Sequence, residues 1–272
     1  MSDCPATKPY LSPTQLETYL RCGEAYRRRY VEGERIPPGI VAVQGTGVHG
    51  GAEVNFRQKI ATGKDLPVRD IVDASVESFD KHLAEGWTVD PEGPSVGDAR
   101  DEVVSLARVL ATEVCPEYQP THVEQTVRIE LPGAHDMLGV LDLAAGGTVI
   151  DLKTTSKTWS QAQIDGSPQL TFYAAANRLL TGQVAQEVVV ENLVKTKRPK
   201  RVRLKSTRDA KDFSALAARI NAVSAGIQAG VFVPAEAGSW MCSPRWCGYH
   251  DTCPYVNGGK TSIVDLHVPE DR

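Results

Sequence analysis

One segment in the middle of the chain is the most informative: Gly139-Val140-Leu141-Asp142-Leu143-Ala144-Ala145-Gly146-Gly147-Thr148-Val149-Ile150-Asp151-Leu152-Lys153. It predicts two β-strands joined by a tight turn at Gly146-Gly147, because glycine accepts the positive φ that both turn positions need. With the turn placed there, Asp142 lies opposite Asp151 on the partner strand. Lys153 follows Asp151 by two residues and therefore projects from the same face.

The two faces of this predicted hairpin differ in chemistry. The face opposite the aspartates is apolar and consists of Leu141, Leu143, Ile150 and Leu152. Two directly opposed carboxylates repel each other, and a bound Mg²⁺ or Mn²⁺ would relieve that repulsion with oxygen ligands. Such an ion binds phosphate oxygens and lowers the pKa of its water, while Lys153 could stabilise the developing charge. The alternative is a solvated face with incidental charges.

Periodicity on either side of the hairpin predicts an α/β protein with a mixed sheet flanked by helices. A helix begins at Ser12, which forms a capping box with Gln15, and continues through Cys22 to Tyr26. Further helices are predicted near residues 46–61 (entered through Gly45-Thr46-Gly47), 68–85, 99–114, 167–180 and 209–229. Strands are predicted at 122–131, 137–144, 148–153, 187–195 and 201–205.

The composition is that of a water-soluble globular protein. Of the 272 residues, 41% are hydrophobic and 24% are charged, with a formal net charge of -4. No apolar run reaches the ~20 residues of a membrane helix, and the N-terminus lacks the apolar stretch of a secretory signal. We therefore expect a cytoplasmic protein without membrane association. In that compartment six cysteines favour metal binding or packing over disulfides.

Gly139-x-x-Asp142 followed by Ile150-Asp151-Leu152-Lys153-Thr154-Thr155 resembles the core of the PD-(D/E)XK nuclease superfamily. It is most similar to the RecB-like branch with the CRISPR-associated iron–sulfur exonucleases and AddB nuclease domains. The resemblance implies a restriction-endonuclease-like fold, metal binding by Asp142, Asp151 and the carbonyl of Leu152, and catalysis by Lys153. Leu141 stands where the superfamily has its eponymous proline.

Two further motifs carry the same resemblance. Gly45-x-x-x-His49 is similar to the first RecB-like motif, which implies that His49 completes the metal site and favours Mn²⁺. Gln169-x-x-x-Tyr173 is similar to the fourth motif, which implies a role near the DNA and the catalytic lysine; a spacing of four puts both side chains on one helical face. The alternatives are a structural or exposed histidine, a half-buried tyrosine and an exposed amide.

Four cysteines form a second candidate site: Cys22, Cys242, Cys247 and Cys253. Four thiolates can hold a [4Fe–4S] cluster or a tetrahedral zinc ion. One distant cysteine followed by three near the C-terminus resembles the iron–sulfur RecB-like nucleases, which implies a structural cluster. The first spacing in the trio is Cys-x4-Cys, where that family more often has Cys-x2-Cys. Cys4 and Cys115 are expected to lie outside this set, Cys115 as a packed thiol.

Two basic runs are candidates for contact with DNA phosphates. The first contains Lys195, Lys197, Arg198, Lys200, Arg201, Arg203 and Lys205. The second is Arg27-Arg28-Arg29. The alternative for such runs is a solvated basic face.

Together these observations predict one nuclease domain over residues 1–272, with a helical part at 10–120, the PD-(D/E)XK core at 121–232 and a cluster-binding tail at 233–272. The predicted activity is metal-dependent hydrolysis of DNA by an exonuclease that acts on single-stranded ends in recombination, repair or replication. A helicase or recombination partner and oligomers are compatible with it, and the resemblance implies a setting in a prokaryotic cell or a phage-infected host. Two alternatives stay open: a non-catalytic iron–sulfur DNA-binding or assembly subunit, and a zinc-stabilised nuclease.

Overall fold

The computed structural model describes residues 9–90, 92–236 and 238–256. The chain divides into two compact units: the first unit contains residues up to Leu16 together with Ile36–Ala225, and the second unit contains Glu17–Arg35 together with the chain from Gly226 onward. The prediction for Cys4 lies outside the described residues. None of the described helices combines the length and apolar character needed to cross a bilayer.

Three packed helices open the first unit: α3 (Ile40–Thr62), α4 (Val68–Ala84) and α5 (Val96–Val109). Ser95 caps α5, because its hydroxyl accepts a hydrogen bond from the Asp98 N–H. The chain then continues through a π-helical turn. The predicted helices at 68–85 and 99–114 are thus confirmed, with α5 beginning slightly earlier at its cap.

The predicted entrance to α3 was wrong. Gly45 and Gly47 lie inside the helix, not in a turn before it. A Cβ atom on Gly47 would lie 2.8 Å from Phe79 Cβ, and one on Gly45 would lie 3.0 Å from Thr154 Oγ1. These glycines allow neighbouring elements to approach closely, and sequence alone does not separate that use of glycine from a turn.

A mixed six-stranded sheet forms the centre of the first unit, with strand order β1-β3-β4-β5-β6 and β2 paired to β3. The β1–β3 and β4–β5 pairs are parallel and the others are antiparallel. The strands are β1 (Tyr10–Leu11), β2 (His122–Ile129), β3 (Asp136–Ala145), β4 (Thr148–Thr155), β5 (Glu187–Val194) and β6 (Lys200–Ser206). All but the two-residue β1 were predicted.

Helices cover the sheet and complete the α/β architecture. Ile150 and Leu152 of β4 pack into the apolar cluster formed with α3, α4 and α5, whereas Lys153 projects toward α7. The remaining helices are α6 (Gln161–Asp165), α7 (Pro168–Thr181) and α8 (Ala210–Gln228). The apolar hairpin face predicted from Leu141, Leu143, Ile150 and Leu152 is buried. The structure therefore has the predicted α/β architecture of a mixed sheet flanked by helices.

The predicted continuous helix from Ser12 to Tyr26 was wrong at one position. Helix α1 (Pro13–Arg21) ends before Cys22, which is extended at φ −161°, and α2 (Gly23–Tyr26) begins after it. The thiol of Cys22 caps α2 by accepting the Ala25 N–H at 3.5 Å. The break exists because Cys22 leaves the helical conformation to act as a cap.

An aromatic cluster forms the core of the second unit. The ring of Tyr26 lies 5.4 Å from that of Tyr19 and stacks on Phe232 at 6.2 Å, measured between centroids. The Gly23 N–H donates to the Val233 carbonyl at 2.7 Å, and a Cβ on Gly23 would lie 2.5 Å from the Val233 nitrogen. The chain after α8 therefore packs directly against α2.

Candidate functional site

The predicted hairpin turn forms. Gly146 and Gly147 have φ values of +55° and +84°, in the region that glycine occupies without a steric penalty. Pairing of β3 with β4 runs from Ala145–Thr148 to Leu143–Ile150. The ladder ends there, so the two strands part just before the two aspartates.

The Asp142 side chain bridges the two strands where their pairing ends. Its Oδ2 accepts the backbone N–H of Leu152 at 2.9 Å, and this side-chain contact replaces a ladder hydrogen bond. Asp142 and Asp151 are close enough for the charge of one to affect the other, but they are not a ladder pair.

The edge of β3 that faces β4 is shared by two strands. Because β2 occupies the other edge, β1 and β4 both lie on this one, β1 at Asp136–Met137 and β4 at Leu143–Ala145. Residues 138–142 have no strand partner there in the described part of the chain. A cavity of about 540 Å³ opens along this stretch, bordered by Tyr10, Gln15, Thr126, Gly139, Asp142 and Tyr173. Ligand clefts in proteins have volumes of about 300–1,000 Å³.

Asp151 is fully buried and contacts the ammonium group of Lys153. The Lys153 Nζ atom lies 2.9 Å from Oδ1 and 2.8 Å from Oδ2, and only Oδ1 has the geometry of a hydrogen bond within the described residues. Burial raises the pKa of Asp151; Lys153 opposes this, and Asp142 adds to it. The carboxylate is thus short of positive charge and suited to a cation.

Lys153 also contacts the predicted pair on α7. Its Nζ donates to Gln169 Oε1 at 3.4 Å, and Gln169 Nε2 donates to Tyr173 Oη at 2.8 Å. Burial raises the pKa of Tyr173, so its hydroxyl stays protonated. The side chains that the sequence grouped on one helical face therefore meet the lysine.

His49 reaches the site from α3. Its Nε2 atom lies 3.0 Å from the carbonyl oxygen of Leu152 and donates to it, since a carbonyl only accepts. The other ring nitrogen, Nδ1, lies 3.7 Å from Asp142 Oδ2 and 3.8 Å from Glu124 Oε1. Burial alone would lower the pKa of His49, but the nearby Asp142 and Glu124 carboxylates raise it to about 9. The surroundings of the ring are therefore strongly anionic.

Glu124 is an acidic residue of this site that the sequence did not single out. Its neighbours in β2 pair as Val123–Leu143 and Gln125–Leu141, so Glu124 lies opposite Asp142. Among the described residues, it alone of the non-glycine residues has a positive φ, +44°. A strained backbone of this kind is typical of functional sites. The β2–β3 register would have identified Glu124, but no turn fixes that register in the sequence.

These donors fit a divalent metal ion. One ligand atom from each of His49, Glu124 and Asp142 lies within 4.8 Å of the other two. The Leu152 carbonyl oxygen lies beside this group, 3.0 Å from His49 Nε2. Mixed oxygen and imidazole donors suit Mn²⁺ as well as Mg²⁺.

All four predicted cysteines line one cavity of about 420 Å³ in the second unit: Cys22, Cys242, Cys247 and Cys253. Burial raises the pKa of the Cys247 thiol, and the other three thiols act in the same direction. Within the described residues, no three of these sulfurs lie within 4.8 Å of one another.

Cys22 receives two backbone hydrogen bonds. Its sulfur accepts the N–H of Ala235 at 3.3 Å in addition to that of Ala25. Such N–H···S bonds stabilise thiolate sulfur in metal sites. Cys115, by contrast, is buried in the helical cluster of the first unit, where burial raises its pKa to about 12. The prediction that Cys115 is a packed thiol is confirmed.

Most of the basic run Lys195–Lys205 serves the fold. Arg201 and Arg203 form ion pairs with the buried Glu191, and Lys205 pairs with Glu187. Lys195 donates to Gln44 at 2.6 Å. Arg201, Arg203 and Lys195 do not form a freely solvated face, because acids and an amide of the protein hold them. Phosphate contact by this run stays a prediction.

The comparisons with known proteins agree with this geometry. The model of the PD-(D/E)XK nuclease superfamily matches residues 10–254. No curated protein matches in sequence. Solved structures match, among them a crystal structure described as a "putative exonuclease" from Eubacterium rectale, with 14% identity, a TM-score of 0.55, and coverage of 90% of this chain and 92% of that chain. At this identity the likeness shows a shared fold. The match over nearly the whole chain identifies the protein as a member of the PD-(D/E)XK nuclease superfamily.

Proposed function

We propose that the protein is a metal-dependent deoxyribonuclease whose active site contains His49, Asp142, Asp151 and Lys153. The main support is the buried Asp151 carboxylate, which contacts Lys153 beside Asp142 and has a raised pKa. Buried acids that are short of positive charge are typical of catalytic sites. Membership of a nuclease superfamily supports DNA as the substrate.

The residues that would hold the metal are His49, Asp142, Asp151 and the Leu152 carbonyl, and we add Glu124 to this set. Mn²⁺ and Mg²⁺ both suit these donors, and the imidazole favours Mn²⁺. A divalent ion bound there polarises the scissile phosphate and lowers the pKa of a water molecule.

Lys153 acts on the substrate beside the metal, and its neighbours position it. Asp151 and Gln169 hold the Lys153 ammonium group in place, so that Lys153 can orient the attacking water and stabilise charge on the phosphate. Tyr173 keeps Gln169 in position through the 2.8 Å hydrogen bond. Lys153 is thus oriented before the substrate binds, which lowers the entropic cost of reaching the transition state.

We further propose exonuclease action on single-stranded DNA ends, within a single nuclease domain that spans residues 1–272. The cavity along the open edge of β3 leads to Asp142 and has room for a nucleotide. A protein of the same fold is described as a "putative exonuclease". This activity suits recombination, repair or replication, with a helicase or recombination partner to supply single strands.

The test is incubation of end-labelled linear and circular single-stranded DNA, and of duplex DNA, with Mn²⁺. Wild-type protein should shorten linear single strands, whereas Asp151→Ala and Lys153→Ala should not. Cleavage of circles would contradict the exonuclease assignment but not the nuclease. Equal behaviour of wild type and both variants would refute the catalytic assignment and favour the non-catalytic DNA-binding or assembly subunit.

For the second unit we propose a structural [4Fe–4S] cluster bound by Cys22, Cys242, Cys247 and Cys253. It would join segments that are far apart in the chain, so it restricts the unfolded ensemble. Protein purified without oxygen should absorb visible light and contain iron. Cys247→Ser should lose both properties, and Cys115→Ala, which changes a thiol outside the cavity, should keep them. Stoichiometric zinc and no visible absorption would establish the zinc alternative.

A further inference from the structure

The second unit exposes two neighbouring tryptophans. Trp240 and Trp246 are 66% and 62% exposed, and their rings meet edge to face with centroids 5.6 Å apart. Tryptophan is the largest side chain and is highly buried on average. Both rings border the cysteine cavity, but a residue that only shielded a cofactor would have most of its surface covered. Their exposure therefore calls for a ligand with flat apolar surfaces.

Among the described residues, no acid pairs with the arginine next to these rings. The Arg245 guanidinium lies 5.6 Å from the centre of the Trp246 ring and makes no ion pair within the described residues. Arg29, which borders the same cavity, also lacks an acidic partner there, whereas Arg27 and Arg28 pair with Glu24 and Glu34. Positive charge beside exposed indole rings is complementary to a ligand with flat rings and phosphates.

Arg201, Arg203 and Lys195 of the basic run Lys195–Lys205 contribute little free positive charge, because they are paired within the first unit. Single-stranded DNA presents unstacked bases and phosphates together, whereas a duplex hides the faces of its bases. We propose that Trp240, Trp246 and Arg245 form a stacking platform for the bases of single-stranded DNA, which rests on the proposed deoxyribonuclease function.

Binding can be measured without cleavage in the full-length Asp151→Asn variant, with no divalent ion added. The probe is a fluorescent oligothymidylate of about 15 nucleotides, close to the largest site sizes of single-strand-binding folds. Fluorescence anisotropy should show that Trp240→Leu and Trp246→Leu each weaken binding by about tenfold, the effect of losing one stacked base. Trp246→Phe keeps an aromatic face and should retain most of the affinity.

An abasic oligonucleotide of equal length separates stacking from charge. The protein with both tryptophans should bind it more weakly than oligothymidylate, and the Trp→Leu changes should have no further effect. Arg245→Gln should weaken binding to both probes. Val233→Ala, which changes a 67% exposed side chain in the same segment, should change neither.

Equal binding of oligothymidylate by the parent and the Trp→Leu variants would overturn the platform, provided that melting temperature and visible absorption are unchanged. If a leucine variant fails to fold, the protein with both tryptophans decides the question, because equal binding of the abasic probe and oligothymidylate would also overturn the platform. Cleavage by wild-type protein with Mn²⁺ is measured separately. If the tryptophan variants bind DNA normally while wild-type protein still cleaves it, only the platform is refuted. If wild-type protein does not cleave DNA while the tryptophan variants bind it more weakly, only the proposed function is refuted.

Discussion

Asp151 and Glu191 are both fully buried carboxylates on neighbouring strands of one sheet, yet their electrostatic surroundings are opposite. Asp151 has Lys153 as its contacting cation and a second acid, Asp142, close by, and its pKa is raised. Burial alone would raise the pKa of Glu191 as well, but hydrogen bonds from its donors lower it. Both carboxylates are buried, so the neighbouring charges account for the opposite directions of the two pKa shifts.

Three donors neutralise Glu191. Arg201 binds both carboxylate oxygens at 2.6 and 2.7 Å, and Arg203 adds a third contact at 2.7 Å. The Tyr118 hydroxyl donates to the same group. Glu117 pairs with both arginines from the other side. In this network the arginines balance the charge of the acids, so no ligand is needed. The group around Asp151 has more acids than basic side chains, which favours binding of a cation.

The largest expected effect is on catalysis. Asp151→Asn should lower Mn²⁺-dependent DNA cleavage by about two to three orders of magnitude, the range seen when one transition-state contact is removed. Because the ionised Asp151 is disfavoured by burial and by Asp142, the melting temperature at neutral pH should stay equal or rise. A variant that cleaves normally, or that melts several degrees lower, would contradict this assignment.

Glu191→Gln should lower stability and leave catalysis unchanged, the converse of Asp151→Asn. It leaves Arg201 and Arg203 buried without their main acceptor, which costs about 3–5 kcal/mol and lowers the melting temperature by roughly 10 °C. The folded fraction should cleave DNA at the wild-type rate. Thermal denaturation and cleavage at a temperature where the variant is folded measure the two quantities. Stability equal to wild type would show that the arginines do not depend on Glu191.

The sequence predicted the turn of the acidic hairpin well because a glycine pair fixes its register locally, although the strand pairing ends just before the two aspartates. Once Gly146 and Gly147 are set as the turn, the positions of Asp142, Asp151 and Lys153 follow from the two-residue period of a strand. The same logic placed Gln169 and Tyr173 on one helical face. Positions that are fixed by residues nearby in the sequence could therefore be predicted from the sequence alone.

Features determined by packing could not be derived. The glycines of α3 touch α4 and β4, so their role depends on elements far away in the chain. Glu124 enters the site through the β2–β3 register, which no short turn defines. The fate of Arg201 and Arg203 depends on the buried Glu191. A run of charged residues or a cluster of glycines is compatible with several structural roles, and tertiary contacts determine which role it has.

A substitution of Glu124 tests whether the surplus of acids around Asp151 binds a metal ion, and its expected effect is smaller than those above. Glu124→Gln should weaken Mn²⁺ binding by about 10- to 100-fold, the usual effect of changing a group that supports a metal ligand. Isothermal titration calorimetry would measure this, and raised Mn²⁺ should restore part of the cleavage. Glu53→Gln is the matched control, because Glu53 lies four residues after His49 on α3 but pairs with Arg57 at the surface. Equal affinity in both variants would exclude Glu124 from the metal site.

The smallest expected effect concerns acid stability at the neutralised cluster. Hydrogen bonds from Arg201 and Arg203 lower the pKa of Glu117 to about 2, against about 4.3 in an unfolded chain. A lowered pKa in the folded state means that ionised Glu117 stabilises the protein above about pH 4.3 and that this contribution is lost as the pH falls toward 2. Glu117→Gln should therefore lower the melting temperature at pH 6 and narrow its gap from wild type at pH 3. A constant gap would show that the ionisation of Glu117 contributes nothing, because Glu117 lies at the surface, where solvent weakens ion pairs.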